Sequence, residues 1–118
     1  MTRRTGPTNV HLANLITDLK ILANKEKVNL WKRIAKDLEK STRRRAKVNL
    51  YKIERYCKDG EIALVPGKVL SEGETTKKID VVAYSFSDKA KHKIKGKALT
   101  IRQLMKENPK GKKVRIFR

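Results

Sequence analysis

Residues 59–70 read Asp59-Gly60-Glu61-Ile62-Ala63-Leu64-Val65-Pro66-Gly67-Lys68-Val69-Leu70, and at Gly60 the spacing of the apolar residues changes. Before Gly60 they recur at helical intervals; after it they come in short unbroken runs. Ile62 to Val65 is such a run, which predicts a short buried strand. Pro66-Gly67 has the order of a turn with Pro first and Gly second, and Val69-Leu70 then predicts a second extended piece. Ser71 to Thr76 predicts a loop, and Ile79 to Tyr84 the best strand of the chain.

Upstream of this stretch the pattern is helical. Leu12, Leu15, Ile16, Leu19, Leu22 and Ala23 form one apolar stripe, with Pro7 stopping any earlier helix and Thr8 or Asn9 available as its cap. Leu30, Trp31, Ile34, Ala35 and Leu38 predict a second helix from about Asn29 to Lys40, with charged residues on its other face. Ser41-Thr42-Arg43-Arg44-Arg45 is a connector without an apolar residue. A third, shorter helix is expected from Val48-Asn49, with Leu50, Ile53, Tyr56 and Cys57 on one face and a stop at Asp59-Gly60.

Downstream, Ser87-Asp88 can cap a short helix through Ile94, closed by Gly96. Thr100 and Gln103 have the spacing of a capping box, so a last helix is expected from about Ile101 to Asn108, ended by Pro109. Val114 to Phe117 alternates like a terminal strand. The expectation is a mixed α/β fold in a single domain, residues 1–118, with helices first and short strands alternating with short helices after them. Residues 1–8 and 109–118 are expected as basic extended segments.

Charge dominates the composition. The chain has 31 Lys and Arg against 12 Asp and Glu, a formal net charge of +19. Self-repulsion on that scale works against a compact chain and calls for a polyanionic partner. Nucleic acid, an anionic membrane surface and an acidic protein all qualify. Phosphate chains are the usual answer, because neutralising them releases condensed counterions. The apolar content of 38% is thin beside the usual range of about 45–50%, which also counts glycine. A lone cysteine, Cys57, excludes an internal disulfide and fits a reducing compartment. Residues 1–8 are polar and lead into no long apolar segment, so no leader is expected, and no stretch approaches the roughly 20 apolar residues of a membrane span.

The residues needed for chemistry are missing. His11 and His92 are far apart in sequence, and no Ser-His-Asp or Cys-His arrangement is indicated. One cysteine and two histidines do not supply the three or four ligands of a zinc site. Cys57 is expected as a small core residue. The stretch Gly60 to Val69 superficially resembles a phosphate loop, but six residues separate its glycines instead of four, and Val69 stands where Ser or Thr is required. A Pro-Gly turn between two extended segments is the better reading, from which Lys68 can still touch a backbone phosphate. No catalytic residue, metal or cofactor is expected, nor a small-molecule substrate.

The positive signal lies in three basic clusters. Arg3 and Arg4 form the first. Arg43, Arg44, Arg45, Lys47, Lys52, Arg55 and Lys58, against Glu54 alone, form the second. Lys106, Lys110, Lys112, Lys113, Arg115 and Arg118, against Glu107 alone, form the third. A charge run is also what any solvated face shows, and for Lys89, Lys91, Lys93 and Lys95 that alternative stays open. In the three clusters the charge is concentrated outside the apolar stripes, which favours nucleic-acid contact. The expected RNA-binding set is Arg3, Arg4, Arg43, Arg44, Arg45, Lys47, Lys52, Arg55, Lys68, Lys110, Lys112, Lys113, Arg115 and Arg118. Only six aromatic residues are present, and Trp31 and Phe86 look committed to packing. With no stacking platform visible, recognition is expected through backbone and shape, which points to folded RNA.

Several segments, in this order, carry a family resemblance. They are Arg4-Thr5-Gly6-Pro7-Thr8, Trp31, Arg43-Arg44-Arg45-Ala46-Lys47-Val48-Asn49, Val65-Pro66-Gly67-Lys68-Val69-Leu70, Phe86-Ser87, Asn108-Pro109-Lys110-Gly111 and Val114-Arg115. Over essentially its whole length the chain resembles the archaeal and eukaryotic large-subunit ribosomal proteins called L eighteen-e, relatives of bacterial L fifteen. The short length is more similar to archaeal members. The resemblance implies an α/β domain built as an irregular superhelix of strand and helix turns. It further implies a non-enzymatic, cytoplasmic component of the large subunit, bound to ribosomal RNA and to neighbouring ribosomal proteins. It makes the Arg43 to Lys47 segment and the Val65 to Leu70 turn the leading candidates for RNA contact and for the fold's central turn. A general nucleic-acid binder associated with chromatin or transfer RNA is the alternative.

Overall fold

A computed structural model of the chain describes residues 10–40, 44–58 and 60–117. Two helices come first, α1 (Val10–Glu26) and α2 (Asn29–Leu38). Leu12, Leu15, Ile16, Leu19 and Ala23 on α1 are buried, as are Trp31, Ile34, Ala35 and Leu38 on α2. Lys27, in the left-handed conformation at φ 57°, turns the chain between them, and the Val28 amide donates to the Ala23 carbonyl at 3.2 Å. Asn29 is already helical; Val28 is the cap and offers no side-chain hydrogen bond. The expected caps of α1, Thr8 and Asn9, lie outside the described residues.

The next segment departs from the expectation. Ala46–Asn49 is a strand, β1, and the third helix, α3 (Leu50–Tyr56), starts only after it. Val48 is 1% exposed and pairs with Val69, so a place on the sheet edge outweighs the helical spacing that placed Val48 in α3. The second departure is the Pro-Gly pair. Ile62–Leu70 is one strand, β2, running straight through Pro66 and Gly67 with no turn. Val65 pairs with Ala83 and Lys68 with Ser85, so Pro66 and Gly67 together oppose Tyr84 alone in a β-bulge. A Cβ at Gly67 would run into the Ala46 carbonyl oxygen, so only glycine lets β1 approach.

Most of the remaining elements follow the sequence closely. The full set is β3 (Asp80–Phe86), α4 (Asp88–Lys93), β4 (Ala98–Thr100), α5 (Ile101–Glu107) and β5 (Val114–Ile116). Ser87 Oγ caps α4 by accepting from the Ala90 amide at 3.2 Å. Thr100 and Gln103 form the anticipated capping box of α5. Strand β4 was not anticipated; Thr100 is both its last residue and the helix cap.

The fold is mixed α/β. The sheet runs β1-β2-β3-β4, with every pairing parallel. Strand β5 also pairs with β2, at Ile62–Leu64, while β1 takes Gly67–Leu70. Two strands from distant parts of the chain thus join β2 along successive stretches. Helices cover both faces, as a parallel sheet requires. Leu64 and Val82 join a core with α1, α2 and α5 residues, while Ala63, Val65, Val81 and Ala83 join a second core with Leu50, Ile53 and Ala90 of α3 and α4. This alternation explains the continuous apolar run Ile62 to Val65, since both faces of β2 are buried.

Candidate nucleic-acid interface

Strand register brings the first pair of cations together. Lys47 on β1 and Lys68 on β2 are direct partners, and Ser85 on β3 is the next partner along. Their neighbours Val48 and Val69 point into the α3/α4 core. By the two-residue period of a strand, Lys47 and Lys68 therefore face the side of α1 and α2. Both lysines are exposed, and among the described residues neither has a carboxylate in salt-bridge range.

Arg45 stands beside them. Its Nε donates to the Lys40 carbonyl at 3.1 Å, and its guanidinium carbon lies 5.8 Å from the centroid of the Tyr84 ring. That separation is in cation–π range. Between these groups lies a cleft of about 180 Å³, lined by Arg45, Ala46, Lys47, Gly67, Lys68, Tyr84 and Ser85.

Through Lys40 the basic surface continues onto α2. Lys40 and Arg44 border one hollow. A groove of about 500 Å³ runs along α2 past Lys32, Arg33, Lys36 and Lys40, interrupted by Asp37. Asp37 Oδ1 is 3.4 Å from Lys40 Nζ, so part of that charge is compensated. Lys32, Arg33, Lys36 and Lys40 were absent from the expected set. Their helical spacing was visible in the sequence, but it read as the solvated side of α2. The result is one basic band from α2 through Lys40 and Arg44 to Arg45, Lys47 and Lys68.

Other members of the expected set lie elsewhere. Lys52 and Arg55 sit on α3, which packs on the opposite face of the sheet. Arg55 lies 5.5 Å from the Tyr56 ring centroid, and Tyr51 and Tyr56 are each 52% exposed. Lys110, Lys112, Lys113 and Arg115 surround β5. Lys110 Nζ is 3.7 Å from Glu26 Oε1. Arg115 meets Glu61 through Nε at 3.1 Å and Nη2 at 3.5 Å. The Lys58 amide and then Arg115 hold the Glu61 carboxyl below its ordinary range. Trp31, fully buried, donates from Nε1 to the Pro109 carbonyl at 2.7 Å, and Asn108 brackets Lys112 with two hydrogen bonds. The segment before β5 is therefore a fixed turn. Arg3, Arg4, Arg43 and Arg118 lie outside the described residues.

The groups weighed for chemistry are dispersed. His11 and His92 are exposed on α1 and α4, and Cys57 is buried. Among the described residues no three His, Cys, Asp or Glu side chains gather as a metal site, and no helix is long and apolar enough to cross a membrane.

The described residues thus define a class: a small, strongly basic α/β protein with a parallel sheet, one side of which carries a continuous basic band while further cations stand on the helices of the other. The family model for ribosomal protein 60S L18 and 50S L18e matches residues 2–118. The chain is 46% identical over 121 residues to large ribosomal subunit protein eL18 of Methanospirillum hungatei, covering 100% of both chains. The protein of the same name from Methanococcus maripaludis is 45% identical over 113 residues, covering 93% of this chain and 94% of that one. The one from Methanothermobacter thermautotrophicus is 41% identical over 120 residues, covering 99% of each. The chain belongs to this family of large-subunit ribosomal proteins.

Proposed function

We propose that the chain is a structural constituent of the large ribosomal subunit that binds and stabilises folded ribosomal RNA, and that it works as a scaffold without catalysing a reaction. It acts as one domain, residues 1–118, in the cytoplasm, with neighbouring ribosomal proteins as its other partners. Residues 1–8 and 109–118 add basic contacts at its two ends. The observation that carries this reading is the pairing of Lys47 with Lys68 beside Arg45, at the end of the basic band of α2. Uncompensated cations on a rigid sheet match the fixed phosphates of a folded RNA, and each phosphate neutralised adds to the salt dependence of binding.

The test is to recover the protein from cells after mild nuclease treatment and sequence the RNA that stays with it. Large-subunit ribosomal RNA is the expected product, and the protein should sediment with the large subunit through moderate salt. Enrichment of transfer RNA or DNA instead would establish the alternative, a general nucleic-acid binder.

A further inference from the structure

We propose that the cleft between β1, β2 and β3 is a socket for one unstacked nucleotide of an RNA chain, with the base against Tyr84 and adjoining phosphates on Lys47 and Lys68. The proposal rests on the RNA-binding reading above and specifies what the RNA places at this point.

The volume is the first argument. At about 180 Å³ the cleft lies below the roughly 300 Å³ where sites for drug-sized ligands begin. It takes one flat ring. Its walls are the second argument. The lining is mainly apolar, with the Tyr84 ring in it, and Arg45, Lys47 and Lys68 bring cations to the same cleft. A free phosphate would find few donors on those walls. A base has apolar faces and carries phosphates on either side of its sugar, which matches a mainly apolar lining with cations beside it. The third argument is the held guanidinium. Arg45 is fixed through Nε to the Lys40 carbonyl and sits over Tyr84. Arginine planes and tyrosine rings are the surfaces on which unstacked RNA bases settle. The Tyr84 and Ser85 hydroxyls have no hydrogen-bond partner among the described residues and are available to the edge of a base. The bulge at Pro66-Gly67 sets the register that pairs Lys68 with Ser85 beside Tyr84.

Such a socket does not read sequence. Stacking is tolerant of base identity because every base has a π-face, so the site would fix the RNA backbone at one splayed residue. An aromatic side chain of a neighbouring protein would also fit by size, but it would leave Lys47 and Lys68 uncompensated.

The experiment compares the full chain with its Tyr84→Phe, Tyr84→Leu and Ser85→Val variants and with Lys47→Gln/Lys68→Gln. Binding to large-subunit RNA is measured at several salt concentrations, with thermal unfolding followed in parallel. Base-specific chemical probing at saturating protein is the second readout. Tyr84→Phe should bind within about twofold of the parent and Tyr84→Leu about 10-fold more weakly at an unchanged salt slope, as expected for a lost stacking contact. Ser85→Val, which fills the cleft and keeps the ring, should lose as much, so the test survives if Tyr84→Leu fails to fold. The double lysine variant should lower the slope by about 2. One nucleotide should be protected by the parent and Tyr84→Phe, and become reactive with Tyr84→Leu and Ser85→Val. Parental affinity and an unchanged footprint for both cleft-filling or ring-removing variants would overturn the socket while RNA binding stands. If the parent itself does not bind the RNA, the functional reading fails and the socket falls with it.

Discussion

The two stretches of β2 that receive β1 and β5 carry similar charge and present it differently. At the β1 end, Lys47 and Lys68 stand side by side, and among the described residues neither has a carboxylate in salt-bridge range. At the β5 end, Arg115 is engaged with Glu61, and Lys110 in the preceding turn with Glu26. Lys47, Lys110 and Arg115 come from basic clusters in the sequence and Lys68 from outside them, yet among the described residues the strand cations of the first end are unspent and Arg115 of the second is not. A formal charge of +19 therefore overstates what a partner meets. An ion pair already made must be broken or shared before a phosphate can use it, whereas a free ammonium group needs only to shed counterions.

The largest effect on this contrast should come from Gly67→Ala. The new methyl strikes the Ala46 carbonyl and prises β1 from β2. Overpacking of this kind costs roughly 3 kcal/mol, and the Lys47–Lys68 pair should separate with it. Chemical denaturation gives the stability, and the salt slope of RNA binding should fall with the pairing. A variant as stable as the parent would show that β1 tolerates a shift.

Trp31→Phe acts on the other end. It keeps most of the buried ring but leaves the Pro109 carbonyl without its 2.7 Å donor. A lost buried hydrogen bond costs about 1–3 kcal/mol. Amide exchange should quicken around β5 and stay slow in β1. Equal quickening at both strands would mean the two ends are not independent.

The comparison sharpens further with charge-neutral substitutions. Lys47→Gln/Lys68→Gln should reduce the salt slope of RNA binding by about 2, whereas Arg115→Gln should change it by less than about 1. Equal changes would erase the distinction drawn between free and paired cations.

The smallest effect concerns pH. Glu54 on α3 accepts from Thr76 Oγ1 and from the Thr76 and Lys77 amides, both at 3.1 Å. The Thr76 hydroxyl first, and the two amides and Lys77 after it, hold its carboxyl below the ordinary range against a counteracting desolvation. A lowered folded-state value means that its contribution is present above the unfolded value of about 4.3 and is lost as pH falls through the lower folded one. Glu54→Gln should therefore cost stability at neutral pH and flatten the decline below about pH 4. An acid limb identical to that of the parent would place the coupling elsewhere.

Much of the fold was legible because its signals are local. The stripe of α1, the Ser87 cap, the Thr100–Gln103 box and the alternation of β5 each depend on residues a few positions apart. The misread segments depend on distant partners. Pro66-Gly67 has the chemistry of a turn, but it is held extended by β3 on one side and the close approach of Ala46 on the other. Ala46–Asn49 has the content of a strand only once β2 is beside it. The site divides in the same way. The basic segments could be picked out one by one, and Arg45, Lys47 and Lys68 were. That these three surround one cleft with Tyr84 follows from register, which a single sequence does not encode locally. The α2 cations were visible at helical spacing, but nothing in the sequence distinguished them from an ordinary wetted surface.

Strand β5 also sets an order of events. The Ile62 amide donates to the Lys113 carbonyl, and the Phe117 amide to the Leu64 carbonyl. Chains are made from the amino end, so this part of β2 emerges well before its neighbour. Until residues 113–117 arrive, a buried-type apolar strand presents open backbone groups to its surroundings, the template on which chains associate wrongly. For a newborn chain of this charge, synthesis of the β5 segment removes that hazard, and every other strand pairing can precede it.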